Sequence, residues 1–220
     1  MSITLYQSDL SPFAARVRIQ ARVKGLTDLV IAKPPGGTGS AEFKALNPTG
    51  KIPALVVDGA VLAESQVICD YLEDRHPTPA LWPSDPLARA EARLLARVTD
   101  LYVCGPMFQT TGHASRKTRD QSFVDARLAE LQTGLGYIVA YRGKSRAAGA
   151  RYLIGETLTL ADAALAPALF FVVNFAAPVF QRTDLLPAGL EPYWNGIKDD
   201  PFVGPALDEM MAALQSVRGG

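Results

Sequence analysis

Ser11-Pro12-Phe13-Ala14-Ala15-Arg16 follows the short apolar run Ile3-Thr4-Leu5-Tyr6 and carries the first chemistry this chain offers. Serine is a strong helix N-cap. Proline suits the first helical position, where its missing N–H would be unpaired anyway. A helix is expected from Pro12 to about Lys24, with Gly25 able to supply a left-handed ending. Ser11 then sits where backbone N–H groups point outward and the helix dipole favours negative charge. Such a site can hold an anion, and a thiolate is one.

A second constellation lies downstream. Asn47-Pro48-Thr49-Gly50-Lys51-Ile52-Pro53-Ala54-Leu55 runs into a hairpin turning at Asp58-Gly59, and Glu64-Ser65 opens the next helix. In this order, Ser11-Pro12, Ile52-Pro53 and Glu64-Ser65 closely resemble the N-terminal domain of glutathione S-transferases. The resemblance is strong over residues 1 to about 78 and weaker to the end of the chain. The Ser-Pro-x-x-x-Arg context resembles the serine-using classes: theta, zeta, tau and their bacterial relatives. The implied fold is an α/β thioredoxin-like N-terminal domain followed by an all-α helical C-terminal domain. The implied co-substrate is glutathione, with no metal.

Glutathione offers a γ-glutamyl ammonium and carboxylate, a peptide-like centre and a thiol. The resemblance assigns Glu64 to the ammonium, and Ser65, expected to cap its helix, to the carboxylate. An unpaired strand edge can pair with an extended peptide, and Ile52 is expected to do so through its N–H and C=O. By resemblance the Ile52–Pro53 bond is cis. Lys51 is the candidate cation for the glycyl carboxylate, with Lys33 and Ser40 as weaker candidates. The glycine-rich run Pro34–Ser40 lacks phosphate-loop spacing and reads as a mobile loop beside the site.

A free thiol has a pKa near ~8.5, and the thiolate is the nucleophile. Lowering that pKa by ~2 units takes ~2.7 kcal/mol of selective stabilisation. A hydroxyl donating to an anion contributes ~1.5–3 kcal/mol, and a helix terminus adds ~0.3–1. Ser11 can therefore supply the shift without ionising. Arg16, one turn on, either supports the site electrostatically or packs. Tyr6 is the alternative thiolate partner, since some glutathione transferases use a tyrosine near the end of the first strand. Serine cannot form a mixed disulfide, which argues against thiol transfer. Phe13, Tyr102 and Phe108 are the candidate electrophile contacts, with Met107, Phe171 and Asn174 nearby in the helical domain. His113, one of two histidines, is given no catalytic role.

These residues need particular elements to hold them. Ile3–Tyr6 and Leu29–Ala32 read as strands around the first helix, parallel if the crossover is right-handed. Asp58-Gly59 is a two-residue hairpin signal pairing Ala54–Val57 with Ala60–Ala63. Val67, Ile68, Tyr71, Leu72 and Arg75 follow at helical spacing. His76–Pro86 contains four prolines and cannot be regular structure. The expected organisation is residues 1–78 as the thioredoxin-like domain, 79–86 as linker and 87–220 as the helical domain. Within the latter, helices are expected over Leu87 to about Tyr102, with a break or kink at Gly105-Pro106, and over Ser122–Tyr141, Thr159 to about Phe175, Pro192–Lys198 and Pro205–Val217. Gly143–Gly149 reads as a basic loop, and Arg218-Gly219-Gly220 as a frayed tail. Thr159-Leu160-Ala161-Asp162 reads as a capping-box variant of folding importance.

The 22 Lys+Arg and 22 Asp+Glu of the 220 residues cancel, so no global field argues for a nucleic-acid or membrane partner. Cys69 and Cys104 lack metal or redox spacing and read as buried apolar residues. Leu165–Phe180 is very apolar, but it contains Pro167, Asn174 and Pro178 and is shorter than the ~20 residues of a membrane span. It reads as a buried core helix. The first residues show no basic-then-apolar leader, so a cytoplasmic protein is expected. Three functions follow as expectations. The first is conjugation of the glutathione thiolate to an apolar electrophile by a homodimer. The others are a zeta-like glutathione-dependent cis-trans isomerase and a non-catalytic glutathione or apolar-ligand carrier.

Overall fold

The computed structural model describes residues 3–144 and 151–219. Residues 145–149 of the expected basic loop lie outside them. Two compact units emerge, one spanning Met1–Leu81 with Pro201–Gly220 and the other Trp82–Asp200.

The first unit is built on β1 (Ile3–Tyr6), α1 (Pro12–Val23), β2 (Leu29–Ala32), α2 (Ala41–Leu46), β3 (Ala54–Val57), β4 (Ala60–Ala63) and α3 (Ser65–Arg75). The sheet order is β2-β1-β3-β4, with β1 parallel to β2 and both other pairings antiparallel. This is the thioredoxin-like arrangement. Asp58 and Gly59 both have positive φ, 47° and 89°, as a type I′ hairpin turn requires. Ile3, Leu5, Leu55, Ile19 and Ile68 close the core between sheet and helices.

α2 lies where the sequence offers only a glycine-rich loop and its exit. Ser40 caps it: its hydroxyl accepts from the Phe43 N–H at 3.0 Å and donates to the Pro35 carbonyl at 2.8 Å. Phe43 is fully buried, which anchors so short a helix.

The last helix, α10 (Gly204–Gly219), belongs to the first unit rather than to the helical one. The expected 87–220 grouping is therefore corrected. α10 packs on α1, and charge pairs join the two helices. The Glu209 carboxylate accepts from Arg18 Nε at 2.8 Å and also pairs with Arg22, both on α1. Helical structure also continues through Arg218 to Gly219, where a frayed end is expected.

The second unit holds α4 (Pro86–Val98), α5 (Gly105–Gln109), α6 (Gln121–Lys144), α7 (Leu160–Phe171), α8 (Ala177–Phe180) and α9 (Glu191–Ile197). The expected break at Gly105-Pro106 does not interrupt the helix. A π-helical segment, Thr99–Cys104, joins α4 to α5 without a gap, and Gly105-Pro106 follows directly on it. α6 approaches this segment closely. A Cβ on Gly134 would lie 1.9 Å from the Tyr102 carbonyl oxygen.

α7, a π-helical Val172–Ala176 and α8 form one apolar run of 21 residues, Leu160–Phe180. That length suffices to cross a membrane, which corrects the expectation that the segment is too short. Burial decides its role instead: every residue of α7 is buried within the protein. Asp162 anchors its start. Its fully buried carboxylate accepts from the Leu153 N–H at 2.8 Å, the Thr159 N–H at 2.9 Å, the Thr159 hydroxyl at 2.7 Å and the Tyr193 hydroxyl at 3.2 Å. Burial pushes the Asp162 carboxyl pKa up, and these donors oppose the shift.

Candidate active site

A cavity of about 140 Å³ in the first unit is lined by Phe13, Thr49, Lys51, Ile52, Pro53, Ala63, Glu64 and Ser65. Six candidate residues, from Phe13 to Ser65 in the sequence, thus meet at one place. Phe13 comes from α1. Lys51, Ile52 and Pro53 come from the segment entering β3. Glu64 joins β4 to α3, and Ser65 opens α3. The Ile52–Pro53 peptide is cis.

The start of α3 differs from expectation. Ser65 is its first helical residue, not its cap. The cap position belongs to Glu64, and no side chain caps the helix. Glu64 adopts φ 67° and ψ 116°, a region that L residues rarely occupy. That backbone turns the chain abruptly into the helix and leaves Ser65 buried at the cavity wall. The first-turn N–H groups of α3 receive no side-chain acceptor, so the cavity borders an anion-favouring helix terminus.

Ser11 is the N-cap of α1, as its sequence context implies. Its hydroxyl accepts from the Ala14 N–H at 3.2 Å, which leaves its own proton free to donate. Ser11 is not among the residues lining the cavity; it stands two positions before Phe13, which is. Arg16 is buried and donates to Gln66 Oε1 at 3.5 Å, tying α1 to the first turn of α3. Tyr6 packs its ring edge-on against Phe43, with centroids 5.9 Å apart. Ser40 is occupied in capping α2, and neither it nor Lys33 lines the cavity.

The aromatic candidates of the second unit do not share one place. Tyr102 lines a separate cavity of about 430 Å³ with Leu101, Pro106 and Tyr137. Phe108 instead packs on Phe171, with ring centroids 5.3 Å apart, in a cluster that runs on to Phe175 and Phe180. His113 accepts from the Asp120 N–H at 3.2 Å and lies on Phe123, which is structural work at the start of α6. Two residues that sequence reasoning left without a role belong at the first cavity. Thr49 lines it, and Asn47 organises the loop that forms its wall. The Asx-turn pattern Asn47-Pro48-Thr49 was the available signal.

Residues 5–80 match the family model described as glutathione S-transferase, N-terminal domain. Glutathione S-transferase Z2 of Arabidopsis thaliana is 30% identical over 176 residues, covering 78% of this chain and 77% of the relative. The chain belongs to the glutathione S-transferase family. The maleylacetoacetate isomerase of Rattus norvegicus is 29% identical over 174 residues, 74% of each chain. Among solved structures, a glutathione S-transferase of Methylobacillus flagellatus with glutathione bound superposes with a TM-score of 0.73 at 22% identity, covering 93% of this chain and 98% of the other. The likeness in fold thus extends over the whole transferase architecture, well beyond the segment that carries the N-terminal motifs.

Proposed function

We propose that this chain binds glutathione at the cavity of Phe13, Lys51, Ile52, Pro53, Glu64 and Ser65 and conjugates its thiolate to an apolar electrophile. The meeting of those six residues beside the uncapped start of α3 carries the reading. Glu64 takes the γ-glutamyl ammonium. Ser65 and the adjoining N–H groups take its carboxylate. Ile52 pairs with the tripeptide main chain, and Lys51 attracts the glycyl carboxylate. Ser11 does not line the cavity, so the cysteinyl arm reaches past it toward the start of α1. Ser11 donates to the sulfur there, supported by the N-terminus of α1. The electrophilic carbon takes the sulfur's electron pair, and its leaving group departs without a covalent enzyme intermediate. Proximity and the lowered thiol pKa supply the acceleration. Phe13, at the cavity wall, is the proposed electrophile contact on α1. The protein works in the cytoplasm, in detoxification, as a twofold homodimer. Light scattering that shows a monomer at assay concentration would remove the dimer from this reading.

The test is an ultraviolet titration of the bound glutathione thiol, with Ser11→Ala in parallel. The expected result is a thiol pKa below that of free glutathione, restored upward by the substitution. A lowered pKa that ignores the substitution would move the role to Tyr6 or to the helix terminus. An unshifted pKa with tight binding would leave a carrier.

The relative named maleylacetoacetate isomerase favours a second reading, glutathione-dependent cis-trans isomerisation. There the thiolate adds to a double bond, the bond rotates, and the thiolate leaves. Turnover of a cis-diacid with glutathione unconsumed would establish it over conjugation.

A further inference from the structure

Asn47 is polar yet only 1% exposed, and its side chain is engaged entirely within the segment that ends at Lys51. Its Nδ2 donates to the Lys51 carbonyl at 2.8 Å. Its Oδ1 accepts from the Thr49 N–H at 3.3 Å and from the Thr49 hydroxyl at 3.1 Å. The same Thr49 hydroxyl accepts from the Lys51 N–H at 3.2 Å. The Gly50 N–H returns to the Asn47 carbonyl at 2.8 Å, and the Gly50 carbonyl accepts from Gly39 at 2.9 Å. The loop is wound around one buried amide, so both faces of Lys51's backbone are held.

This has a consequence one bond further on. The Lys51–Ile52 peptide is trans and planar, so its N–H points opposite to its C=O. Holding the Lys51 carbonyl toward Asn47 turns the Ile52 N–H the other way. No described residue accepts from that N–H, and Ile52 lines the cavity. A fixed, unsatisfied donor at a cavity wall is what main-chain recognition of an extended peptide needs.

We infer that Asn47 is a positioning residue: through the Lys51 carbonyl it aims the Ile52 N–H at the main chain of bound glutathione, with Thr49 as its relay. The inference rests on the glutathione reading above. Asn47 does not touch the tripeptide. Its contribution is to abolish the freedom of one peptide plane before the ligand arrives.

Asn47→Asp keeps an acceptor for Thr49 and replaces the donor to Lys51 with an oxygen that the Lys51 carbonyl repels, so that carbonyl is released. The expected result is a KM for glutathione raised about tenfold, the scale of one hydrogen bond. Meanwhile kcat at saturating glutathione and KM for a chloronitroarene electrophile stay unchanged, while Tm falls because a carboxylate is buried. In ¹⁵N-labelled protein, glutathione shifts the Ile52 amide resonance of the parent, and that response is lost in the variant. A variant that binds glutathione like the parent overturns the inference and leaves the glutathione reading standing. A variant in which kcat and both KM values worsen together also overturns it, because Asn47 is then merely structural. A parent that shows no glutathione binding overturns both. Should Asn47→Asp not fold, Asn47→Ala, which also removes the donor to the Lys51 carbonyl, is read in the same way.

Discussion

The ammonium nitrogen of Lys24 lies 2.8 Å from a carboxylate oxygen of Glu73, with both side chains withdrawn from solvent. Lys24 also donates to the carbonyls of His76 and Pro79. Glu73 in turn accepts from the Leu81 N–H at 2.6 Å and from Gln20 Nε2 at 3.3 Å. The end of α1, the end of α3 and the chain leaving α3 are thus tied at one buried ion pair. Removing one partner of such a pair strands the other charge. Lys24→Met is expected to cost about 3–5 kcal/mol in urea denaturation. Glu73→Gln strands the Lys24 ammonium in turn and should cost a comparable amount. A Lys24→Met loss under about 1 kcal/mol, the scale of an exposed pair, would refute this account.

Glu64 holds a strained backbone at the cavity wall. Rarely populated conformations of this kind cost about 1–3 kcal/mol and persist where function over-determines them. Glu64→Gly relieves the strain and deletes the carboxylate. Its expected signature is an unchanged or higher Tm together with weaker glutathione binding by calorimetry. A lower Tm would show that the side chain, not the backbone, sets stability here.

Gly134 admits the Tyr102 carbonyl where a Cβ would clash with backbone. Gly134→Ala raises helix propensity, yet α6 must move from the π-helical turn. Overpacking of this kind costs about 1–3 kcal/mol, more than the helix gains. Gly136→Ala is the control on the same helix, since its Cβ meets nothing. Thermal melts should show Gly134→Ala lower and Gly136→Ala level or higher than the parent. The reverse order would refute the close approach.

Tyr152 gives a pH dependence with a defined sign. Burial, and then its hydrogen bond to Asp200 at 2.8 Å, push the phenol up to about 12. An unfolded tyrosine titrates near ~10. The folded protein therefore holds this proton more tightly than the unfolded chain. Its contribution is complete below pH ~10 and is lost as pH rises from there toward 12. Urea midpoints across that range should fall, and Tyr152→Phe should fall less steeply. Parallel slopes would assign alkaline loss to other groups.

Much of the first unit was legible because its signals are local. Ser11-Pro12 caps α1, Asp58-Gly59 turns the hairpin, and α3 runs from Ser65 to Arg75, each specified by interactions a few residues apart. The same holds for Thr159 and Asp162 at the start of α7, although Asp162's further bonds to Leu153 and Tyr193 were invisible. By itself the sequence determined these caps, turns and amphipathic faces, and through their order the thioredoxin-like start. Only the tertiary structure decided what depends on distant partners. It brought Phe13 to Lys51 and Glu64 around one cavity and gave the cap position of α3 to Glu64. It docked α10 on α1 through Glu209, sent Tyr102 and Phe108 to different places, and buried Lys24 against Glu73. The physical reason is that propensity acts through neighbours in sequence, whereas burial and charge pairing act through neighbours in space.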